Sequence, residues 1–559
     1  MTKLRRALLL GAILVIGCGG CRLQPPVELL LTGGQVVTLD ADHPAARSVG
    51  VSDGRIVEVD GRRAGATVLD LGGAVVAPAL VDHHIHLFNV GLWLLNDRDR
   101  GRLFLDLTAV SSLDEVADLV RARAAALPAG TWIVGAGWNQ ASWGAQSLPS
   151  HDVLSRAAPH HPVFLARTDG HAGWVNANAL ALARVRGSSG ILLERANEPV
   201  IAPMPALPDS DIMSAYRLAA QALAVRGVVE VYDAGALAFP GVVALNADLG
   251  RSLALLRRAD SVAPLPIRVN LMVPAPSRLA DSLLDSDHSW ALSPRIRITH
   301  LKLFADGALG SRGAALTHGY ADDPGTQGVP RMTTAEIAGM ARRALDAGLG
   351  VAAHAIGDEA VKRVLDGYQL VLQERPGLDP SRLRIEHFSY AREADLARAV
   401  RLGIVLSIQS NFNSAIGDDP PFGTSRVGPA NEPRVYAWAR LVRLGARVAE
   451  GSDYFARPAE PLSGYYAALT RRNAVGTGWS DPEARLIAYR MQATRFPPMG
   501  SPTGGVIRPE APADLVVLSG DPLRASRDDI LRIRVLATVN AGRITYADTA
   551  WLAAGRPRR

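Results

Sequence analysis

Cysteine is nearly absent from this chain: 559 residues include two, Cys18 and Cys21, both close to the start. The remaining sequence therefore carries no disulfide framework, and its stability must come from burying a core. A short redox pair is set aside, because neither cysteine is embedded in a helical pattern. Lysine is almost as scarce. Of 60 Lys+Arg residues only Lys3, Lys302 and Lys362 are lysine, and the other 57 are arginine. Those arginines are spread along the chain, without a basic stripe or tail, so a formal net charge of +6 gives no footprint for nucleic acid. Low-complexity segments and repeats at solenoid periods are missing as well. With 48% hydrophobic and 20% charged residues, the composition is that of a folded globular protein.

Long apolar runs are lacking too. The one near the N-terminus, Ala7 to Ile16 after Lys3, Arg5 and Arg6, is too short for an ordinary membrane span and reads as a secretory signal. Val15-Ile16-Gly17-Cys18 has the form of a lipobox, in which the cysteine is lipidated and becomes the mature N-terminus. The sequence thus predicts a signal peptide over 1–17, a lipidated linker over 18–26 and a bacterial cell-envelope location, held to a membrane through Cys18. Removing 1–17 takes away three cations and no acids, which lowers the formal charge from +6 to +3.

What the chain does have is Asp82-His83-His84-Ile85-His86, reached directly from the apolar run Ala74 to Val81. That run reads as a buried strand ending at the histidines. On an extended backbone residues i and i+2 share a face, so His84 and His86 can hold one metal ion. By the same alternation His83 is structural. The alternative for the pair is a histidine-rich exposed turn. Four later segments also read as short apolar strands that end in a potential ligand: Arg297 to Asp306, Gly350 to His354, Leu383 to His387 and Ala446 to Asp453. In a barrel of alternating parallel strands and helices, such ends surround one mouth, where chemistry is done.

Lys302 lies in the first of those four segments. A sequence that writes nearly every cation as arginine has a local reason to write lysine here, since a desolvated lysine can lose its proton and become a nucleophilic amine. Reaction with carbon dioxide would give a carbamate whose two oxygens bridge two metals. The alternative is a lysine paired with Asp306 or another acid.

Taken together, these segments resemble the amidohydrolase superfamily in its binuclear, carbamylated-lysine form. More narrowly, Leu301 to Arg312, His354-Ala355-Ile356-Gly357-Asp358, Glu386-His387 and Gly451-Ser452-Asp453 are similar to the amidohydrolase-3 branch that includes N-substituted formamide deformylases. The resemblance covers nearly all of the chain after residue 27. Pro78-Ala79-Leu80 departs from it, because the family usually has glycine in the middle; only a turn before the ligands should change. The resemblance implies an α/β fold: a (β/α)8 TIM-type barrel over 79–502, with a small β-sandwich built from 27–78 and 503–559. Strands two, three and seven are read at Val228–Asp233, Ile267–Val273 and Ile404–Gln409, and Thr333 with Glu336 has capping-box spacing at a helix start.

Between strands one and two, residues from about 97 to 211 exceed a simple connection and predict an inserted subdomain near the mouth, where loops set specificity. It holds Trp132, Trp138, Trp143 and Trp174, read as core rather than as a ligand platform. Arg167 to His171 also resembles a family motif, so His171 either reaches the substrate or satisfies a turn. Arg312 is a second substrate-binding candidate, with an ordinary salt bridge as its alternative.

By the resemblance, two divalent ions, zinc first among them, share a hydroxide: His84, His86 and Asp453 on one, His354 and His387 on the other, Lys302 between. Asp453 is then the catalytic proton carrier. The expected reaction is hydrolysis of a non-peptide carbon–nitrogen bond in a small-molecule amide, formamide or cyclic amide. An esterase or lactonase with the same centre, and an inactive membrane-anchored binding protein, are the competing readings. Oligomeric state stays open, a homo-oligomer included.

Overall fold

A computed structural model of the protein describes residues 26–143, 148–168, 170–236, 249–285, 289–413, 425–454, 460, 462–470, 477–496 and 503–554. The expected signal peptide, 1–17, and the expected lipidation site, Cys18, lie outside the described residues. Among the described residues no helix is long and apolar enough to cross a membrane.

Eight parallel strands form the central sheet, in chain order around the ring: β1 Leu80–Ile85, β2 Val228–Asp233, β3 Arg268–Pro274, β4 Ile296–Phe304, β5 Gly350–Ala355, β6 Leu383–His387, β7 Val405–Ile408 and β8 Arg447–Glu450. Most of these strands are buried along their whole length, which is why they read as continuous apolar runs rather than as alternation. The ring closes between β8 and β1 just beyond the last strand. There the Asp453 N–H donates to the His84 carbonyl at 2.6 Å and the His86 N–H to the Tyr454 carbonyl at 3.0 Å. Gly451 lies so close to β1 that a Cβ would stand 2.5 Å from the His84 nitrogen.

Helices cover the outside of the barrel. Thr334–Asp346 begins with the expected capping box, the Thr333 hydroxyl taking the Glu336 N–H and the Glu336 carboxylate the Thr333 N–H. Asp358–Glu374 buries Val361, Val364, Leu365, Tyr368 and Val371, the spacing of one helical face turned to the barrel.

Both ends of the chain build two further sheets. Val27–Thr32, Val49–Ser52, Arg55–Val59 and Gly65–Asp70 make a four-stranded sheet; a six-stranded one combines the early strands Gln35–Val37, Ala45–Ala46 and Val75–Pro78 with the late strands Leu515–Leu518, Val535–Asn540 and Arg543–Ala547. Leu29, Leu31, Val51, Ile56, Val76, Leu515, Val517 and Val539 share one core between them. Ala79, at the departure from the family pattern, is buried and its N–H donates to the Asp514 carbonyl at 3.0 Å.

A buried ion-pair network ties these ends to the barrel. Arg268 of β3 bonds Glu230 of β2 and Asp514, each at 2.8 Å, while Arg495 reaches the same two acids at 2.6 and 2.5 Å. A five-stranded sheet from Leu105 to Leu193 fills the insertion. Trp138 and Trp174 are fully buried in its core, their rings 5.8 Å apart and T-shaped, and Trp143 packs beside them. Trp132 is half-buried against the main core, so all four tryptophans serve packing.

Candidate metal centre

The C-terminal ends of the barrel strands bring together the six ligands expected from sequence. His84 and His86 stand at the end of β1, Lys302 on β4, His354 on β5, His387 at the end of β6 and Asp453 three residues past β8. His86 Nε2 lies 3.1 Å and His84 Nε2 3.4 Å from Asp453 Oδ1, and His387 Nδ1 lies 3.8 Å from Asp453 Oδ2. Lys302 Nζ is 3.3 Å from His84 Nε2. The rings of His354 and His387 are 4.4 Å apart, and that of His387 is 4.8 Å from His84. Among the described residues, His84, His86 and Asp453 form the one group of three or more His, Cys, Asp or Glu side chains with ligand atoms within 4.8 Å of one another.

Tautomers decide what these distances mean. His86 Nδ1 meets the Gly235 carbonyl at 2.5 Å, and since a carbonyl can only accept, this nitrogen carries hydrogen. His84 Nδ1 likewise donates to the Glu386 carboxylate at 2.5 Å, and His387 Nδ1 to Gln409 Oε1 at 2.8 Å. In the neutral rings Nε2 is then a lone pair, met in His84 by Lys302 Nζ at 3.3 Å. Two such lone pairs, on His84 and His86, face Asp453 Oδ1, a buried oxygen without a hydrogen-bond partner. Acceptors facing acceptors repel, and a cation between them removes the conflict. The donor set therefore fits a metal, and each histidine has the outer acceptor that metal-binding histidines use to fix their orientation.

The electrostatics agree. Burial holds His84 below the usual histidine range, with Lys302 adding to it, and burial takes His387 down to about 3. His354 is also held well below, by burial first and then by His387. All three thus stay neutral and able to ligate near pH 7. For Asp453 burial works upward, but the neighbouring imidazoles of His84, His86 and His387 outweigh it and keep the carboxyl ionised. Lys302 is 1% exposed, and burial draws its ammonium down to about 8, so a share of free amine exists at neutral pH. Asp306, the acid weighed as its partner, instead accepts the backbone N–H groups of Ala315, Ile356 and Gly357 at 2.9, 3.0 and 2.7 Å.

The two substrate candidates are placed differently. His171 comes from the insertion to within 5.8 Å of the His354 ring, which brings it to the cluster. Arg312 is held by Asp322 at 3.0 Å on the loop after β4, the ordinary salt bridge that was its alternative. His83 is buried below the cluster, stacked on Tyr232 at 5.0 Å with Nε2 against the Thr494 carbonyl, as a structural residue should be.

Supporting residues were harder to see in the sequence. Glu386 orients His84 and is itself held by Arg384 at 3.0 Å, both side chains fully buried. Their i, i+2 spacing on β6 was the available signal. Gln409, one residue past β7, was readable only as a strand end. Replacing it with leucine is expected to weaken metal affinity about 10–100-fold, since His387 loses its orienting acceptor. Competition with a chelator measures this, and wild-type affinity in Gln409→Leu would remove the role given to it.

Residues 67–546 match the amidohydrolase family. Protein LONG AFTER FAR-RED 3 of Arabidopsis thaliana is 30% identical over 94% of this chain and 93% of its own length. An N-substituted formamide deformylase of Arthrobacter pascens is 26% identical over 93% of this chain and 99% of its own. The crystal structure of an uncharacterised metal-dependent hydrolase from Pyrococcus horikoshii superposes with a TM-score of 0.67 at 26% identity, covering 89% of this chain and 99% of that one. Parallel strands in barrel order, a histidine and carboxylate cluster at their C-terminal ends and a match over most of the sequence lead to one statement: this chain belongs to the amidohydrolase family and is a metal-dependent hydrolase.

Proposed function

We propose that the enzyme hydrolyses a non-peptide carbon–nitrogen bond in an amide, formamide or cyclic amide, using two divalent cations. The observation that carries this reading is the convergence of the His84 and His86 Nε2 lone pairs on Asp453 Oδ1, with buried Lys302 beside them. The similarity to a formamide deformylase supports the choice of bond. His84, His86 and Asp453 would hold one cation, His354 and His387 the other, and Lys302, carbamylated, would lie between. Zinc suits this set of imidazoles and carboxylates. Bound there, the metals would supply activated water and polarise the scissile carbonyl.

The chain's own groups handle position and protons. Asp453 is ionised at neutral pH and stands where the site's acceptors meet, so it can take a proton from the attacking water and return it to the departing nitrogen. Protonating that nitrogen is the step an amide needs and an ester does not. His171 projects from the insertion toward His354 and would orient the substrate carbonyl.

Metal analysis of purified protein should find close to two divalent ions per chain, and the His84→Ala/His86→Ala double variant should lose at least one. A fully loaded double variant would sink the ligand assignment. On a panel of formamides, cyclic amides, esters and lactones, turnover confined to the last two would replace the carbon–nitrogen reading with an esterase.

A further inference from the structure

Asp306 stands two residues past β4, with its side chain fully buried. Its carboxylate gathers backbone N–H groups from two loops at once. Oδ2 accepts from Ala315, in the loop after β4, and from Gly357, in the turn after β5, at 2.9 and 2.7 Å; Oδ1 accepts from Ile356 of that turn at 3.0 Å. Asp358 makes the reverse connection. From the start of the helix after β5 its carboxylate accepts the Thr317 N–H at 2.9 Å and the Thr317 hydroxyl at 2.6 Å. The two loops meet so closely that a Cβ on Gly357 would stand 2.0 Å from the Ala315 carbonyl oxygen.

One edge of this joint faces a metal ligand. His354 Nε2 lies 3.5 Å from Asp306 Oδ1 and 3.4 Å from the Gly307 carbonyl. Both are acceptors, so this nitrogen carries the hydrogen of the neutral ring and Nδ1 holds the lone pair. His84, His86 and His387 are set the other way round, with the hydrogen on Nδ1. Which nitrogen His354 offers to a cation is thus decided from outside the ligand cluster, by the residue that also joins the two loops. An acid that only braced the loops would need the backbone bonds alone; the oxygen turned to His354 Nε2 goes beyond them.

We infer that Asp306 is a positioning residue for the second cation site: its Oδ1 fixes the His354 ring with Nδ1 turned to the metal, while its N–H bonds hold the Gly307 carbonyl in place beside it. This rests on the two-cation reading above. Asparagine shows why a carboxylate is needed. Its one oxygen can serve either Ala315 and Gly357 or Ile356 and His354. With the oxygen on the first pair, the amide NH2 points its hydrogens at the Ile356 N–H and at the His354 Nε2–H. Donors then face donors, and the imidazole has to turn.

The test compares zinc-loaded wild type, Asp306→Asn and Asp358→Ala by metal analysis after dialysis against rising concentrations of a chelator, with urea denaturation alongside. Wild type should release two ions per chain. In Asp306→Asn one of them should leave at a chelator concentration about 10–100-fold lower, the loss that follows when a ligand's outer partner is removed, and the other as in wild type. Asp358→Ala breaks the same joint at Thr317 rather than beside His354 Nε2, so it should lower the urea midpoint and leave both ions at wild-type affinity. Unchanged release from Asp306→Asn, or the same weakening in Asp358→Ala, would overturn the inference. A single ion in wild type would overturn the two-cation reading, and this inference with it. A crystal of the zinc-loaded wild type needs no variant: His354 Nδ1 bound to an ion with Nε2 against Asp306 supports the role, and His354 bound through Nε2 refutes it.

Discussion

Lys302→Arg is expected to lose bound metal and to lower kcat/KM by about 10³-fold or more, equivalent to roughly 4 kcal/mol of lost transition-state stabilisation. The residue is 1% exposed and its amine sits 3.3 Å from His84 Nε2, so a guanidinium would bring a permanent charge and extra volume into the ligand cluster. Arginine cannot form the bridging carbamate on which the proposed centre depends. Lys302→Ala should fail in the same way, but with partial recovery in buffers containing short carboxylic acids, whose two oxygens can stand in for the missing bridge. Lys362→Arg provides the contrast. That lysine pairs with Asp366 at 2.7 Å across one helical turn on a partly exposed face, and the change should be nearly silent. Metal content and turnover decide the matter together; wild-type values of both in Lys302→Arg would end the carbamate proposal.

The second large effect concerns the join between the barrel and the terminal sheets. Asp514→Ala should destabilise the protein by about 3–5 kcal/mol, because it leaves two arginines, Arg268 and Arg495, with Glu230 alone in a buried site. The same network gives a pH dependence. Burial alone would raise Asp514, but Arg495 and then Arg268 outweigh it and hold the carboxyl at about 2. A depressed carboxyl stabilises the fold above its unfolded value of about 3.9, and that share, about 2 kcal/mol, is lost as pH falls from about 4 toward about 2. Urea denaturation of wild type and Asp514→Ala at pH 7, 5 and 3 measures both quantities. The gap between the two proteins should be constant from pH 7 to 5 and should narrow at pH 3. A gap that does not change with pH would show that the charge of Asp514 is not what stabilises the join.

Much of the barrel could be read from the chain because each buried parallel strand is a compact apolar run closed by a polar residue. Val228–Asp233 was placed without error, and β3 and β7 within a residue at their ends. The candidate ligands could be picked out for the same reason: they fall where those runs stop. Alternation failed at β6. Glu386 and His387 are adjacent, yet both serve the centre, because His387 and Phe388 adopt φ of 76° and 48° and turn the chain inward. Asp453 does the same at 52°. Non-glycine residues rarely adopt this region, and no sequence signal marks the places where tertiary structure imposes it. The acid that pairs with Arg312 and the four-residue network at the join to the terminal sheets were unreadable for a simpler reason. Their partners are chosen by the packed fold, and in the network they lie up to 265 positions apart, as Glu230 and Arg495 do.

The closing of the ring also has a consequence for how the protein is made. Asp82 and Ser452, which clasp β1 to the segment after β8, are 370 residues apart. A chain still emerging from the ribosome holds His84 and His86 early, but lacks Asp453 and the last strand until almost the whole barrel has been synthesised. Until then the sheet has two unpaired edges, each a template for another chain. The ion pocket and the closed ring are therefore finished by the same short stretch of peptide, and a nascent chain cut short before Asp453 has neither.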